Sequence, residues 1–379
     1  MLSMKKKKIC QLVLGLPVGG TEVLACRLGQ RLQGEFDFLF VCLDEIGSLG
    51  ESLQVEGFKV VSLKRQPGID WRCSLRLSRL IRQEQVDAVH AHQYTPFFYS
   101  MTARLFGSRV PVLFTEHGRF HPDYPRRKRM IFNRCFLRQR DRYIGVGNAV
   151  RNALIQNEGI PESRVGVIYN GIDVSPYQNG QRGADRALVR AELRLKENEF
   201  VVTQVARLDY LKDHLTAIRA TERVARECDR VRLLLVGDGP ERGAIEAEIQ
   251  KRGVSSQVRL LGIRSDVSRI LAASDAFLLT SISEGIPLTI IEAMCAGLPV
   301  VSTRVGGIPE IVEDEVTALL AASGDDEGLA RRLLRLSADP QRCEEMGQKG
   351  KLHAFSHFSE DRMHSEYAAL YRDMLNERL

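Results

Sequence analysis

The sequence predicts an α/β protein built from two parallel-sheet domains. Three features carry that expectation. Short runs of aliphatic and β-branched residues, such as 9–14, 110–115 and 200–205, alternate with stretches whose apolar residues recur at helical spacing. Each run ends in a glycine-bearing or polar turn, as in βα units whose strands are covered on both faces. The alternation pauses over the polar stretch 174–198, read as a linker plus a short helix, and then restarts, and 379 residues suffice for two sizeable cores.

In the first half, strands are expected at 9–14, 36–43, 60–63, 86–92, 110–115, 143–146 and 165–168. Helices are expected at 23–32, 47–56, 74–83, 95–106 and 148–156. The first strand runs into Gly19-Gly20-Thr21-Glu22, a tight βα turn that also lets backbone N–H groups face a phosphate. It lacks the G-x-G-x-x-G order, so a nicotinamide or flavin site is not expected. His90, His92 and His117 fall at the carboxyl ends of strands, where open α/β sheets bind ligands. His117 lies between a strand and Gly118, so its ring suits either a cleft or a hydrogen bond within the loop.

The second half restarts with strands at 200–205, 231–236, 258–261, 276–279, 300–301 and 318–321. Helices follow at 215–226, from 240 to 251, at 288–297, 327–336 and 341–355, and the chain closes with one over 357–379. Arg207 and Lys212, five apart after a strand, suit the two sides of a diphosphate, or two surface cations on a loop. The stretch Ser283-Glu284-Gly285-Ile286-Pro287-Leu288-Thr289-Ile290-Ile291-Glu292 reads as a strand end, a turn and a helix start, with Pro287 at the first helical position. Free N–H groups over 286–289 favour an anion, and Glu284 and Glu292 would accept from hydroxyls. That combination suits a nucleotide-sugar. It equally suits an ordinary strand–turn–helix with two solvated glutamates.

Composition bounds the partners. The net charge is +6, but residues 1–170 carry 26 Lys+Arg against 15 Asp+Glu, or +11, leaving −5 for the rest. The stretch 119–142 concentrates this charge in Arg119, Arg126, Arg127, Lys128, Arg129, Arg134, Arg138, Arg140 and Arg142, interleaved with Met130, Ile131, Phe132, Phe136 and Leu137. Such a helix meets an anionic membrane or a lipid diphosphate, or is simply a solvated face. No nucleic-acid motif accompanies it, so no nucleic-acid partner is expected. Eight scattered cysteines without a C-x-x-C pair fit a reducing compartment and argue against a zinc site. Lys5–Lys8 and Val23-Leu24-Ala25-Cys26 resemble an export leader, but Glu22 and Gly19-Gly20 interrupt it, so a cytoplasmic location is expected.

The stretch Glu284–Glu292, continued by Ala293-Met294-Cys295-Ala296-Gly297-Leu298-Pro299-Val300-Val301, resembles the donor-site signature of retaining GT-B glycosyltransferases of family four. Further segments resemble that family: Gly19-Gly20-Thr21-Glu22, Thr115-Glu116-His117-Gly118, Asn170-Gly171-Ile172-Asp173, Gly237-Asp238-Gly239-Pro240, and Arg207-Leu208 with Lys212, flanked by departures at Ala206 and Asp213. The resemblance spans essentially the whole chain. It implies the GT-B fold, with Rossmann-like domains at 1–175 and 176–356 facing a cleft and a helix at 357–379 packing back on the first.

The resemblance also implies roles. Glu284 would hold donor-sugar hydroxyls, and His117 would contact the sugar. Arg207, Lys212 and the N–H groups of Gly285, Ile286, Pro287's successor Leu288 and Thr289 would face the diphosphate. Glu292 would bind ribose, Arg264 would flank the base, and Gly19 and Gly20 would face the phosphates and acceptor. The donor would be a UDP- or GDP-sugar and the acceptor a glycan, lipid or lipid-linked sugar, with no cofactor and no metal. Rival readings are an epimerase on the same scaffold and a basic membrane- or nucleic-acid-binding protein with a vestigial site.

Overall fold

The computed structural model describes residues 5–118, 123–178 and 182–376. The chain divides into two compact units, 1–169 with 363–379, and 170–362.

The first unit holds a sheet of seven parallel strands: β1 (Lys8–Val13), β2 (Asp37–Cys42), β3 (Lys59–Ser62), β4 (Ala88–His92), β5 (Val112–Glu116), β6 (Arg142–Gly145) and β7 (Val165–Val167). Their order is β3-β2-β1-β4-β5-β6-β7. Side chains on a strand alternate between faces, and here that divides the core in two. Ile9, Val13, Phe38 and Phe40 pack on one face with the helix Gly20–Leu32 and with Met363, Tyr367 and Tyr371 of the last helix. Cys10, Leu12, Leu39 and Val41 pack on the other with Cys73, Leu77, Ile81 and Phe97. This two-faced burial is why these strands read as continuous apolar runs.

The second unit holds six parallel strands: β8 (Phe200–Val205), β9 (Val231–Val236), β10 (Val258–Gly262), β11 (Ala276–Leu279), β12 (Val300–Thr303) and β13 (Ala318–Ala321). Their order is β10-β9-β8-β11-β12-β13. In both sheets the strand order reverses direction once, between β1 and β4 and between β8 and β11. Crossover helices diverge at such a switch point and leave a crevice at the carboxyl ends of the two strands. Lys212 lies in the loop after β8 and Glu284 in the loop after β11.

One local expectation is met and one is corrected. The short helix expected within 174–198 is Arg182–Glu192. Its Arg186 and Arg190 both reach the carboxylate of Asp275, ahead of β11, at 2.7 and 2.8 Å. Pro287 is the N-cap rather than the first helical residue, at φ −74° and ψ 108°, and the helix runs Leu288–Cys295. Among the described residues, no helix is long and apolar enough to cross a membrane.

Candidate functional site

The loop after β8 is built by local capping. Asp209 accepts from the Leu211 N–H at 3.0 Å and so starts a short turn, Tyr210–Lys212. Asp213 sits in the left-handed region, φ +43°, and caps the helix His214–Glu227 by accepting from the Thr216 N–H at 3.2 Å. The loop after β11 is pinned onto this one. The Thr280 hydroxyl donates toward the carbonyls of Lys212 and Asp213 at 3.0 and 2.8 Å, and the Ile282 N–H donates to the Leu211 carbonyl at 2.8 Å.

That stitching brings the two charges together. Lys212 Nζ donates to Glu284 Oε1 at 2.6 Å, and the Ser281 hydroxyl donates to the same oxygen at 2.6 Å. The Glu284 side chain is 7% exposed and that of Lys212 25%. Glu284 Oε2 keeps no partner among the described residues and is free to accept from a ligand. Beside this pair the helix Leu288–Cys295 begins without a side-chain cap, so its first N–H groups are open to an anion. Arg207 is exposed on the same loop as Lys212, and its guanidinium has no partner among the described residues.

Glycines let further loops approach this centre. A Cβ on Gly237 would overlap the Ala206 carbonyl, and one on Gly306 would overlap the Glu284 carbonyl. The Gly307 N–H donates to the Gly285 carbonyl at 3.1 Å. The backbone around Glu284 is thus held by the turn that follows β12.

Arg264 is occupied. It forms a fork on Asp266 at 2.8 and 2.9 Å and donates to Glu192 at 2.9 Å, and these hydrogen bonds to the two carboxylates raise its pKa. Glu292 lies on the helix Leu288–Cys295. Its charge joins burial in raising the pKa of the Tyr177 phenol.

In the first unit the expected histidines form one cluster, with His90 and His92 buried and His117 part-buried. His92 Nδ1 meets His117 Nε2 at 3.0 Å, and His92 Nε2 meets Gln11 Oε1 at 2.7 Å. Gln11 Nε2 donates to the Tyr371 hydroxyl at 3.0 Å. That hydroxyl lies 2.7 Å from His90 Nδ1, and His90 Nε2 lies 2.8 Å from the Thr115 hydroxyl. His90 and His92 are therefore internal, and His117 is the member nearest the strand end. Gly19 caps the helix Gly20–Leu32, and a Cβ there would overlap the Glu22 carboxylate folded back over the helix start. Sequence reasoning did not find Gln11, Tyr371 or Ser281. A lone glutamine inside the apolar run 9–14 was the one available signal.

Burial lowers the pKa of His117 and of His214, each to about 4, and holds His90 and His92 well below the usual imidazole range. In the unfolded chain these rings titrate near 6.5. Between about pH 4 and 6.5 the unfolded state binds more protons, so stability falls as pH drops through that window. Each ring that stays neutral contributes up to about 1.4 kcal/mol per pH unit. Urea midpoints at pH 7 and pH 5 should differ accordingly, and equal midpoints would contradict the burial of these rings.

Comparison with known proteins agrees with this arrangement. The family described as "Glycosyltransferase Family 4" matches residues 18–176, and "Glycosyl transferases group 1" matches 185–353. The chain belongs to the family-four glycosyltransferases. It is 27% identical over 374 residues to the N-acetyl-alpha-D-glucosaminyl L-malate synthase of Bacillus anthracis, covering 95% of each chain. It is 29% identical over 350 residues to the UDP-Gal:alpha-D-GlcNAc-diphosphoundecaprenol alpha-1,3-galactosyltransferase of Escherichia coli, covering 88% of this chain and 89% of that one. An Anabaena protein crystallised in complex with UDP superposes with a TM-score of 0.85 at 23% identity, covering 97% of this chain and 100% of that one. The fold of this glycosyltransferase is GT-B.

Proposed function

We propose that this glycosyltransferase moves a hexose-type sugar, with retention of anomeric configuration, from a UDP- or GDP-sugar to a glycan, lipid or lipid-linked acceptor. The observation that carries the reading is the Lys212–Glu284 pair at the switch point of the second sheet, beside a helix start without a side-chain cap and an exposed Arg207 that has no partner among the described residues. As the glycosidic bond breaks, negative charge grows on the leaving diphosphate. Arg207, Lys212 and the N–H groups at Leu288 and Thr289 stabilise that charge, which is the main electrostatic demand of the reaction. Glu284 Oε2 accepts from a sugar hydroxyl, Glu292 from the ribose, and His117 hydrogen-bonds the sugar. The acceptor hydroxyl attacks on the face the diphosphate leaves, and a diphosphate oxygen takes its proton.

The named donors and acceptors of the relatives support a nucleotide-sugar and a lipid-linked or small hydroxyl acceptor. The test is a matrix of UDP- and GDP-hexoses against oligosaccharide, diacylglycerol and polyprenyl-diphosphate-sugar acceptors, reading nucleotide release and the product's anomeric configuration. An α-linked product from an α-linked donor is expected. Inverted product, or acceptor-independent interconversion of the donor as an epimerase would give, overturns it.

A cytoplasmic protein that touches the inner face of a membrane through 119–142 is part of the same proposal. Arg119 lies outside the described residues. In the helix Arg127–Phe136 the apolar stripe is already used, with Phe132 stacked on Phe136 at 4.5 Å and packed on Phe98. Its outer face shows Arg127, Lys128, Arg134 and a 67% exposed Ile131. Membrane contact there would be mainly electrostatic. Cosedimentation with phosphatidylglycerol vesicles should be strong at low salt and largely lost near 0.5 M, where the Debye length is only a few ångströms. Equal binding to neutral phosphatidylcholine vesicles would refute it.

A further inference from the structure

Six side chains of the first unit form one continuous hydrogen-bonded file: His117, His92, Gln11, Tyr371, His90, Thr115. The sheet aligns them. β1 places Gln11 opposite His90 of β4, and β4 places His92 opposite Thr115 of β5, with His117 two residues beyond. A neutral imidazole has one donor and one acceptor nitrogen, a hydroxyl passes a hydrogen bond on, and a carboxamide has a donor end and an acceptor end. Such a file has two self-consistent senses, and the carboxamide selects between them.

Gln11 turns Oε1 to His92 and Nε2 to Tyr371. His92 then carries its proton on Nε2 and offers a lone pair at Nδ1. His117 must donate its Nε2–H to that lone pair. What remains on His117 is Nδ1, an unprotonated nitrogen, buried and without a partner among the described residues. In the other direction Tyr371 accepts from Gln11, donates to His90 Nδ1, and His90 donates from Nε2 to Thr115. Reversing His117 would require reversing every bond in the file, including rotation of a carboxamide that is wholly buried.

We propose that Gln11 is a positioning residue: acting through His92 and anchored by Tyr371, it fixes the tautomer of His117 that presents Nδ1 as an acceptor, so the ligand must bring a neutral hydroxyl there rather than an anionic oxygen. The proposal deepens, and rests on, the reading of His117 as a contact to the donor sugar. Its consequence is specificity. A hexose with a hydroxyl at the position meeting Nδ1 pairs with it. A uronic acid with its carboxylate there sets lone pair against lone pair, and a deoxy sugar leaves the nitrogen unpaired, which a site built around a hydrogen bond penalises. Low proton affinity supports the same conclusion, since burial keeps His117 neutral at physiological pH.

The test begins with protein labelled with 15N in histidine and free of any ligand, read by long-range proton–nitrogen correlation. His117 should carry its proton on Nε2. Gln11→Met removes the carbonyl that orders His92 and should yield both tautomers of His117. With the preferred UDP- or GDP-hexose, its kcat/KM should fall roughly tenfold to a hundredfold, while the affinity for the free nucleoside diphosphate stays at the wild-type value. Tyr371→Phe keeps the carbonyl but frees the carboxamide to rotate, and should give the same tautomer mixing with a smaller loss. It serves equally if Gln11→Met fails to fold. Wild-type His117 protonated on Nδ1 overturns the proposal. So does loss of activity in both variants with the tautomer unchanged. If the wild-type protein transfers no sugar from any donor, the functional reading fails while the tautomer measurement still decides the role of Gln11.

Discussion

Replacing Glu284 by alanine should lower kcat/KM for sugar transfer by about 10²- to 10³-fold, the range seen when one preorganised polar contact to a transition state is removed. The loss should split in a particular way. Glu284 Oε2 is the free acceptor for the sugar, whereas Lys212 and Arg207 are the cations for the diphosphate. Glu284→Ala should therefore weaken the nucleotide-sugar while leaving affinity for the free nucleoside diphosphate close to wild type. Lys212→Ala should weaken both. The two residues share a 2.6 Å bond, so their effects should not add. Removing Glu284 leaves a part-buried lysine with no counter-charge, and removing Lys212 leaves a largely buried carboxylate held only by Ser281. Each single variant should lose about 1–3 kcal/mol of stability for that reason, and the double variant less than the sum. Isothermal titration with UDP, GDP and their sugars, beside urea melts of the four proteins, measures both splits. Wild-type activity in Glu284→Ala and Lys212→Ala would end the catalytic reading and favour a basic binding protein with a vestigial site.

Much of the scaffold was legible because two-faced burial writes continuous apolar runs into strands. β8, β9, β11 and β13 occupy the expected residues 200–205, 231–236, 276–279 and 318–321. The loops proposed to meet the donor drew notice for a related reason: cations, glutamates and glycines sit just past those runs, where a parallel sheet opens to ligand. What local pattern did not reveal is what long-range contacts decide. The ion pair of Arg264 with Glu192, 72 residues away, is one such contact, and Asp266 holds the same guanidinium. A short helix within 174–198 was expected, but not its anchor: Arg186 and Arg190 of Arg182–Glu192 bond Asp275, some 85 residues away. The file through Gln11 joins residues 360 apart at its Tyr371 link, and no spacing rule reaches that far.

The turn after β12 offers a second large effect at a residue that touches no ligand in the proposed chemistry. Gly306 has φ +52°, and an added Cβ would run into the carbonyl and amide of Glu284. An alanine there meets two obstacles at once: a left-handed backbone, and a neighbouring peptide too close to accommodate it. The Gly306 turn and the Glu284 loop must part by about an ångström, and a misplacement of that size in a positioned group costs on the order of 10²-fold in rate. Gly306→Ala should therefore lose activity much as Glu284→Ala does, with a stability cost of about 1–3 kcal/mol. Gly324 supplies the control. Its φ is also positive, +77°, but nothing lies within 4 Å of an added Cβ. Gly324→Ala should show only the backbone strain, about 1 kcal/mol in a urea melt, with kcat/KM unchanged. If the two alanine variants lose activity equally, the Glu284 loop is not held in place by the turn beside it. If Gly306→Ala alone loses it, close packing of that glycine against the Glu284 peptide is what sets the carboxylate where the sugar must meet it.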